Sequence, residues 1–189
     1  MNDVILRPYS PSDREAYVAI YEEAFPPSER KPFDFMLSPP ANDHYKLLTV
    51  STSSGAVAGL VILAYAPSGG EKFALLDYPA IPPHMRGSGI GHAILPLVRD
   101  HCHGQNARMF LEIEAPDPCA ENAEQRLRRK DFYKSCGLCE CGVKAWMYGT
   151  VMELLAYPED AEHLTLDIYQ DVVRACYPLE MGIPELINT

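Results

Sequence analysis

Ala80-Ile81-Pro82-Pro83-His84-Met85-Arg86-Gly87-Ser88-Gly89-Ile90-Gly91-His92-Ala93-Ile94-Leu95 is the stretch on which the reading of this chain turns. It predicts the end of a strand, a proline-rich loop and the start of a helix. Glycines at 87, 89 and 91 let the backbone come close to a ligand and turn its N–H groups toward it. A helix start adds unpaired donors and a partial positive charge. The product is an anion site, suited to a phosphate or pyrophosphate and built from the main chain of Arg86, Gly87, Ser88, Gly89, Ile90 and Gly91. Arg86 either adds a charge-assisted contact or braces the loop. An ATP-type phosphate loop is excluded, because no Gly-Lys-Ser/Thr follows. The dinucleotide fingerprint puts its third glycine one place later, where His92 stands, and expects an N-terminal strand–turn–helix unit.

Before this stretch the chain is strand-rich. Val4-Ile5-Leu6 reads as a short strand. Ser10-Pro11 opens a helix, with Asp13 and Glu15 in its first turn and Tyr17, Ile20, Tyr21 and Ala24 on one apolar face. A second short helix is expected within Ser28–Leu37. Tyr45–Ser51, Ala56–Ala66 and Phe73–Ile81 read as three strands with links too short for parallel crossovers, an antiparallel meander. After it come a helix over Gly89–His103, a strand over Arg108–Ala115, a helix over Glu121–Cys136 and two strands between Cys139 and Leu155. Strand, helix, strand is a crossover unit, so Phe73–Ile81 and Arg108–Ala115 should lie parallel. A last helix is expected over Asp160–Cys176. The fold class is therefore α+β, a mixed and mostly antiparallel sheet with helices on both faces.

Composition narrows the function. The chain has 189 residues, of which 47% are hydrophobic, so it can build a core. Its net charge of -10 would repel a phosphate backbone, which argues against nucleic acid as a partner. Much of that charge falls after Val151, where Glu153, Glu159, Asp160, Glu162, Asp167, Asp171, Glu180 and Glu185 face Arg174 alone. These carboxylates read as a solvated surface or as a lure for a cationic substrate. No run of about 18 apolar residues suggests a membrane span. The first residues lack the basic start and apolar middle of a secretory signal, so the cytoplasm is the expected compartment. The six cysteines are then expected as reduced thiols. Cys136-Gly-Leu-Cys139 has metal-ligand spacing, but no second pair follows to close a zinc site, and no metal is expected.

Arg86-x-x-Gly89-x-Gly91 after a strand resembles the signature motif of the GNAT N-acetyltransferase superfamily, which binds acetyl-coenzyme A. Leu76-Asp77-Tyr78-Pro79-Ala80-Ile81 is similar to that family's fourth strand. Arg128-Arg-Lys-Asp-Phe132-Tyr133-Lys-Ser-Cys-Gly137-Leu138 is similar to its late helix. The resemblance implies one acetyltransferase domain over residues 1–156 and an acidic helical extension over 157–189 packed on it. It implies that amides of Arg86 to Gly91 hold the coenzyme pyrophosphate. Ala80 and Ile81 would lie where a central parallel strand pair splays, their backbone pairing with the pantetheine arm like an added strand. Tyr133 matches the tyrosine that protonates the leaving thiolate.

Family chemistry is direct attack of an amine on the thioester in a ternary complex. The amine must first lose a proton, so a carboxylate is needed. Asp77 on the fourth strand and Glu112 on the fifth are the candidates. Glu114 shares the face of Glu112 but lies nearer the strand end. The acceptor is a primary amine of a small molecule or peptide, and a homodimer is compatible with the family. The alternative is a non-catalytic acyl-CoA sensor of the same fold.

Some residues depart from the pattern. Arg126 stands where many relatives have Asn, and with Arg128, Arg129 and Lys130 it forms a basic cluster, read as a solvated helix face or a contact for the coenzyme 3′-phosphate. Pro96 falls inside a predicted helix and should kink it or displace a hydrogen bond. Phe33, Phe35, Trp146 and Tyr148 could line an acceptor pocket, with Glu29 or Asp34 meeting an ammonium, although aromatics at such spacings are more often core.

Overall fold

The structure, a computed structural model, describes residues 4–27, 29–147 and 149–177. Seven strands form one mixed sheet in the order β1-β2-β3-β4-β5-β7-β6. They are β1 (Val4–Pro8), β2 (Tyr45–Thr52), β3 (Val57–Ser68), β4 (Glu71–Ala80), β5 (Ala107–Glu114), β6 (Cys139–Met147) and β7 (Thr150–Ala156). The helices are α1 (Arg14–Ala24), α2 (Phe33–Leu37), α3 (Ile90–Gly104), α4 (Ala123–Ser135), α5 (Pro158–Ala161) and α6 (Leu166–Cys176). The chain divides into two compact units, Met1–Tyr65 with Leu76–Gln105, and Ala66–Leu75 with Asn106–Thr189.

In the first unit, β1 pairs antiparallel with β2, and β2 with β3. The apolar run of β3 is buried over almost its whole length, as a central strand must be. Tyr17, Ile20 and Tyr21 form the buried face of α1. The Tyr17 hydroxyl donates to the Val61 carbonyl at 3.2 Å, which removes the cost of burying it. The helix expected from Ser10 starts as a 3-10 turn, Pro11–Asp13, because the Asp13 carboxylate turns back. It accepts from the Ser10 N–H at 3.1 Å, from Thr49 at 3.0 Å and from Arg7 at 2.6 Å. The Arg7 guanidinium holds Asp13 at about 2, against its burial. α3 runs from Ile90 to Gly104 with Pro96 inside it.

In the second unit, β4 and β5 pair in parallel, Lys72–Leu75 against Ala107–Phe110. β5 then pairs antiparallel with β7, and β7 with β6. The single C-terminal helix expected over Asp160–Cys176 is two. Thr165 is extended, and its side chain accepts from the Ile168 N–H at 3.3 Å, capping a new start for α6. Asp160 is buried and serves β5 instead, accepting from the Met109 N–H at 3.1 Å. α6 buries Tyr169, Val172, Val173 and Cys176. This unit holds α5 and α6 together with β5–β7.

Candidate active site

In the first unit, the residues singled out from Asp77 to Gly91 form one continuous run from β4 into α3. β4 ends at Ala80, Pro83–Met85 makes one 3-10 turn, and Gly89 caps α3 in the left-handed region with φ 83°. Gly87 has φ 75°, a backbone that a side-chain-bearing residue rarely adopts. A Cβ at either glycine would meet nothing within 4 Å, so conformation rather than crowding demands glycine here. The loop is braced from within. Arg86 Nε donates to the Ile81 carbonyl at 3.0 Å, and Ser88 Oγ donates to the Met85 carbonyl at 2.6 Å. Of the two roles open to Arg86, its side chain fills the bracing one. The first turn of α3 presents N–H groups for which the helix itself has no carbonyl, at its positive end. The loop therefore has the polarity of an anion site.

Gly59 on β3 is a residue that the sequence reading passed over. A Cβ there would stand 2.6 Å from the Ala80 carbonyl oxygen and 2.7 Å from Ile81 Cδ1. Its signal was available, since a lone glycine within a strand marks close backbone approach. Gly59 lets the backbone at Ala80 and Ile81 lie where it does.

Asp77 is engaged. The Lys31 ammonium donates to its Oδ2 at 2.6 Å, and the Lys31 side chain is 0% and that of Asp77 4% exposed. The ammonium also lies 4.9 Å from the Tyr78 ring centroid and 5.7 Å from that of Tyr45. Lys31 is fixed through its backbone too, its N–H donating to Tyr78 Oη at 3.2 Å and its carbonyl accepting from the Tyr21 hydroxyl at 3.1 Å. Around it, Tyr21, Phe25 and Tyr78 pack edge to face. The aromatics and acids proposed for an acceptor pocket are largely spoken for. Phe33 packs with Tyr9, Tyr17 and Tyr21, Phe35 with Tyr45, and Asp34 pairs with Arg14 at 2.8 Å. Trp146 is 41% exposed on β6, and Tyr148 lies outside the described residues.

In the second unit, Glu112 on β5 is half-buried and held by two phenols. Tyr169 Oη donates to its Oε2, and Tyr177 Oη donates to its Oε1 at 3.1 Å. Glu114 is clamped by Arg126 Nη2 at 2.7 Å and by Asn122 Nδ2 at 3.1 Å. In the basic cluster on α4, Arg126 and Lys130 are largely covered and paired with carboxylates, while Arg128 stays exposed to solvent. Besides Arg126, Lys130 pairs with Glu140 at 2.9 Å and Glu153 at 3.0 Å, and Arg128 with Glu124 at 2.5 Å. Tyr133 on α4 is buried, and burial pushes its phenol up to about 12, so it stays protonated at neutral pH. The nearby Arg129 charge works against that rise. The cysteines are free, and no cluster of three or more potential metal ligands occurs among the described residues. Among those residues no helix is long and apolar enough to cross a membrane.

No protein-family model matches this sequence, and no curated protein sequence matches it. Solved structures do. The spermidine N-acetyltransferase from Vibrio cholerae, solved in complex with CoA and spermine, superposes with a TM-score of 0.64 at 14% identity, over 84% of this chain and 97% of that one. A protein from Desulfovibrio desulfuricans assigned to the GNAT acetyltransferases gives 0.61 at 20% identity, over 81% and 97%. Nourseothricin acetyltransferase gives 0.55 at 18% identity, over 82% and 98%. The seven-stranded mixed sheet, parallel at β4–β5, with its glycine-capped α3, is the GNAT N-acetyltransferase fold.

Proposed function

We propose that this chain is an acetyl-CoA-dependent N-acetyltransferase that acylates a primary amine. One observation carries the proposal: the loop from Arg86 to Gly91, with Gly87 and Gly89 at positive φ, open space above both, and the N-terminus of α3 behind it. Its backbone amides would hold the pyrophosphate of the coenzyme. Ala80 and Ile81 would hydrogen-bond the pantetheine arm, with the Ile81 carbonyl already accepting from Arg86. Acetyl-CoA supplies the activated acyl group. The structural neighbours that act on spermidine and nourseothricin favour a small-molecule amine as the acceptor.

The two carboxylates then differ in aptitude. Asp77 is engaged by the buried Lys31 ammonium, which occupies its Oδ2 at 2.6 Å. Glu112, held by phenols, is the better candidate to take the proton from the acceptor ammonium. The freed amine forms the C–N bond at the thioester carbonyl, the C–S bond breaks with its electron pair leaving on sulfur, and the second proton shed by the nitrogen as it becomes an amide passes to solvent. Burial favours the neutral phenol of Tyr133 and so disfavours its full ionisation as the sulfur departs. Tyr133 therefore serves as a neutral hydrogen-bond donor to the departing sulfur, and solvent completes the protonation.

A second reading, an acyl-CoA sensor, draws on the fact that both candidate carboxylates have internal partners. The two separate on one assay, release of free thiol from acetyl-CoA with a panel of polyamines, amino acids and short peptides. Saturable release with an amine supports the enzyme. Binding of acetyl-CoA with release no faster than background hydrolysis supports the sensor.

A further inference from the structure

Glu112, the carboxylate proposed as base, is held by the C-terminal part of the chain. Tyr169 lies on α6, and Tyr177 follows its end. Both phenols donate to Glu112, one to each oxygen. Tyr169 is 0% and Tyr177 8% exposed. The ring of Tyr169 packs edge to face on Phe110, which precedes Glu112 by two on β5, with centroids 6.2 Å apart. Its hydroxyl also lies 3.5 Å from the Met147 sulfur. α6 itself is seated by Val172, Val173 and Cys176, and its Asp171 accepts from the Ser68 hydroxyl at 2.7 Å. A side chain held by packed, buried partners keeps its rotamer, which is what a catalytic constellation requires.

The choice of partner has a chemical meaning. Asp13, Asp77, Glu114 and Glu153 are held by Arg or Lys. A phenol fixes a carboxylate's position without bringing a positive charge to it. We infer that Tyr169 and Tyr177 are positioning residues that hold Glu112 for its role as the base in amine deprotonation. This inference rests on the proposed acetyl transfer. The proton passes from the acceptor ammonium to the Glu112 carboxylate, and from there to solvent once the amide has formed.

The test compares Tyr169→Phe, Tyr177→Phe, the double variant and Glu112→Gln in the full chain. Thiol release gives kcat and the KM for the amine, calorimetry gives acetyl-CoA affinity, and melting checks folding. Loss of a general base costs on the order of a hundred-fold or more, and loosening it about ten-fold per hydrogen bond. The expected result is that each Phe variant lowers kcat about ten-fold while acetyl-CoA affinity stays within about two-fold of wild type. On the Glu112→Gln background the Phe changes add little, because they act through that carboxylate. Phe variants with unchanged kcat overturn the inference, as does a further full loss on the Glu112→Gln background. If Tyr169→Phe fails to fold, Tyr177→Phe decides alone. A wild-type chain that releases no thiol fails at the functional reading itself, and the positioning role falls with it.

Discussion

Lys31→Met probes the buried ion pair that takes Asp77 out of the chemistry. Lys31 and Asp77 side chains are 0% and 4% exposed and meet at 2.6 Å. Removing one partner leaves a carboxylate in a dry, aromatic surround, which costs about 3–5 kcal/mol. At about 2–4 °C per kcal/mol for a chain of this size, the midpoint of thermal unfolding should fall by about 6–20 °C. The double variant Lys31→Met/Asp77→Leu removes both charges and should recover most of that loss, because a buried pair replaced by apolar groups is close to neutral. Melting followed by circular dichroism, with urea titration for the free energies, reads both effects. The same reasoning expects Asp77→Asn, assayed where it is folded, to reduce kcat far less than Glu112→Gln. A Lys31→Met protein that melts within 2 °C of wild type, or a double variant that loses the sum of two single losses, would refute the reasoning.

Gly59→Ala places a methyl 2.6 Å from the Ala80 carbonyl oxygen. Overpacking against backbone costs about 1–3 kcal/mol, and the displaced strand end should weaken acetyl-CoA binding at least about ten-fold by calorimetry. Asp13 gives the protein an acid sensitivity of known sign. Its hydrogen bond to Arg7 lowers it from 3.8 to about 2. It therefore adds about 2 kcal/mol above pH 4 that is lost as pH falls toward 2. Urea titrations from pH 5 to pH 2 should show this loss in the wild type and not in Asp13→Asn. Tyr133→Phe should lower kcat while leaving acetyl-CoA affinity nearly unchanged in paired turnover and calorimetry measurements, and equal loss of both would contradict its donor role.

The fold was legible in the sequence wherever local chemistry decides structure. The meander before Pro82, the glycine-opened helix and the strand–helix–strand crossover all follow from turn residues and apolar patterning, and they stand within a few residues of where they were expected. The break before α6 was hidden in the run from Glu162 to Thr165, where the helical pattern does not lapse but Thr165 offers a better cap. The loop of the candidate site was legible for the same local reasons. Partners were not. Asp77 looked like a base because it lies on β4, while Lys31, which neutralises it, comes from a proline-flanked loop distant in sequence. Glu112 was picked from strand alternation alone, yet the phenols that hold it lie far along the chain in a segment read mainly for its acidity. Arg126 and Lys130 on α4 looked solvent-facing because the acids that pair with them come from β5, β6 and β7.

The central claim is that main-chain nitrogens between Arg86 and Gly91 bind a diphosphate. Calorimetric titration with coenzyme A and, in parallel, with pantetheine tests it most directly, because the two share the thiol arm and only coenzyme A carries the diphosphate, with its phosphoadenosine. Hydrogen bonds to a charged group are worth about 1.5–3 kcal/mol each, so two of them predict coenzyme A binding at least about a hundred-fold more tightly. Equal affinities, or no heat with either compound, would contradict the account.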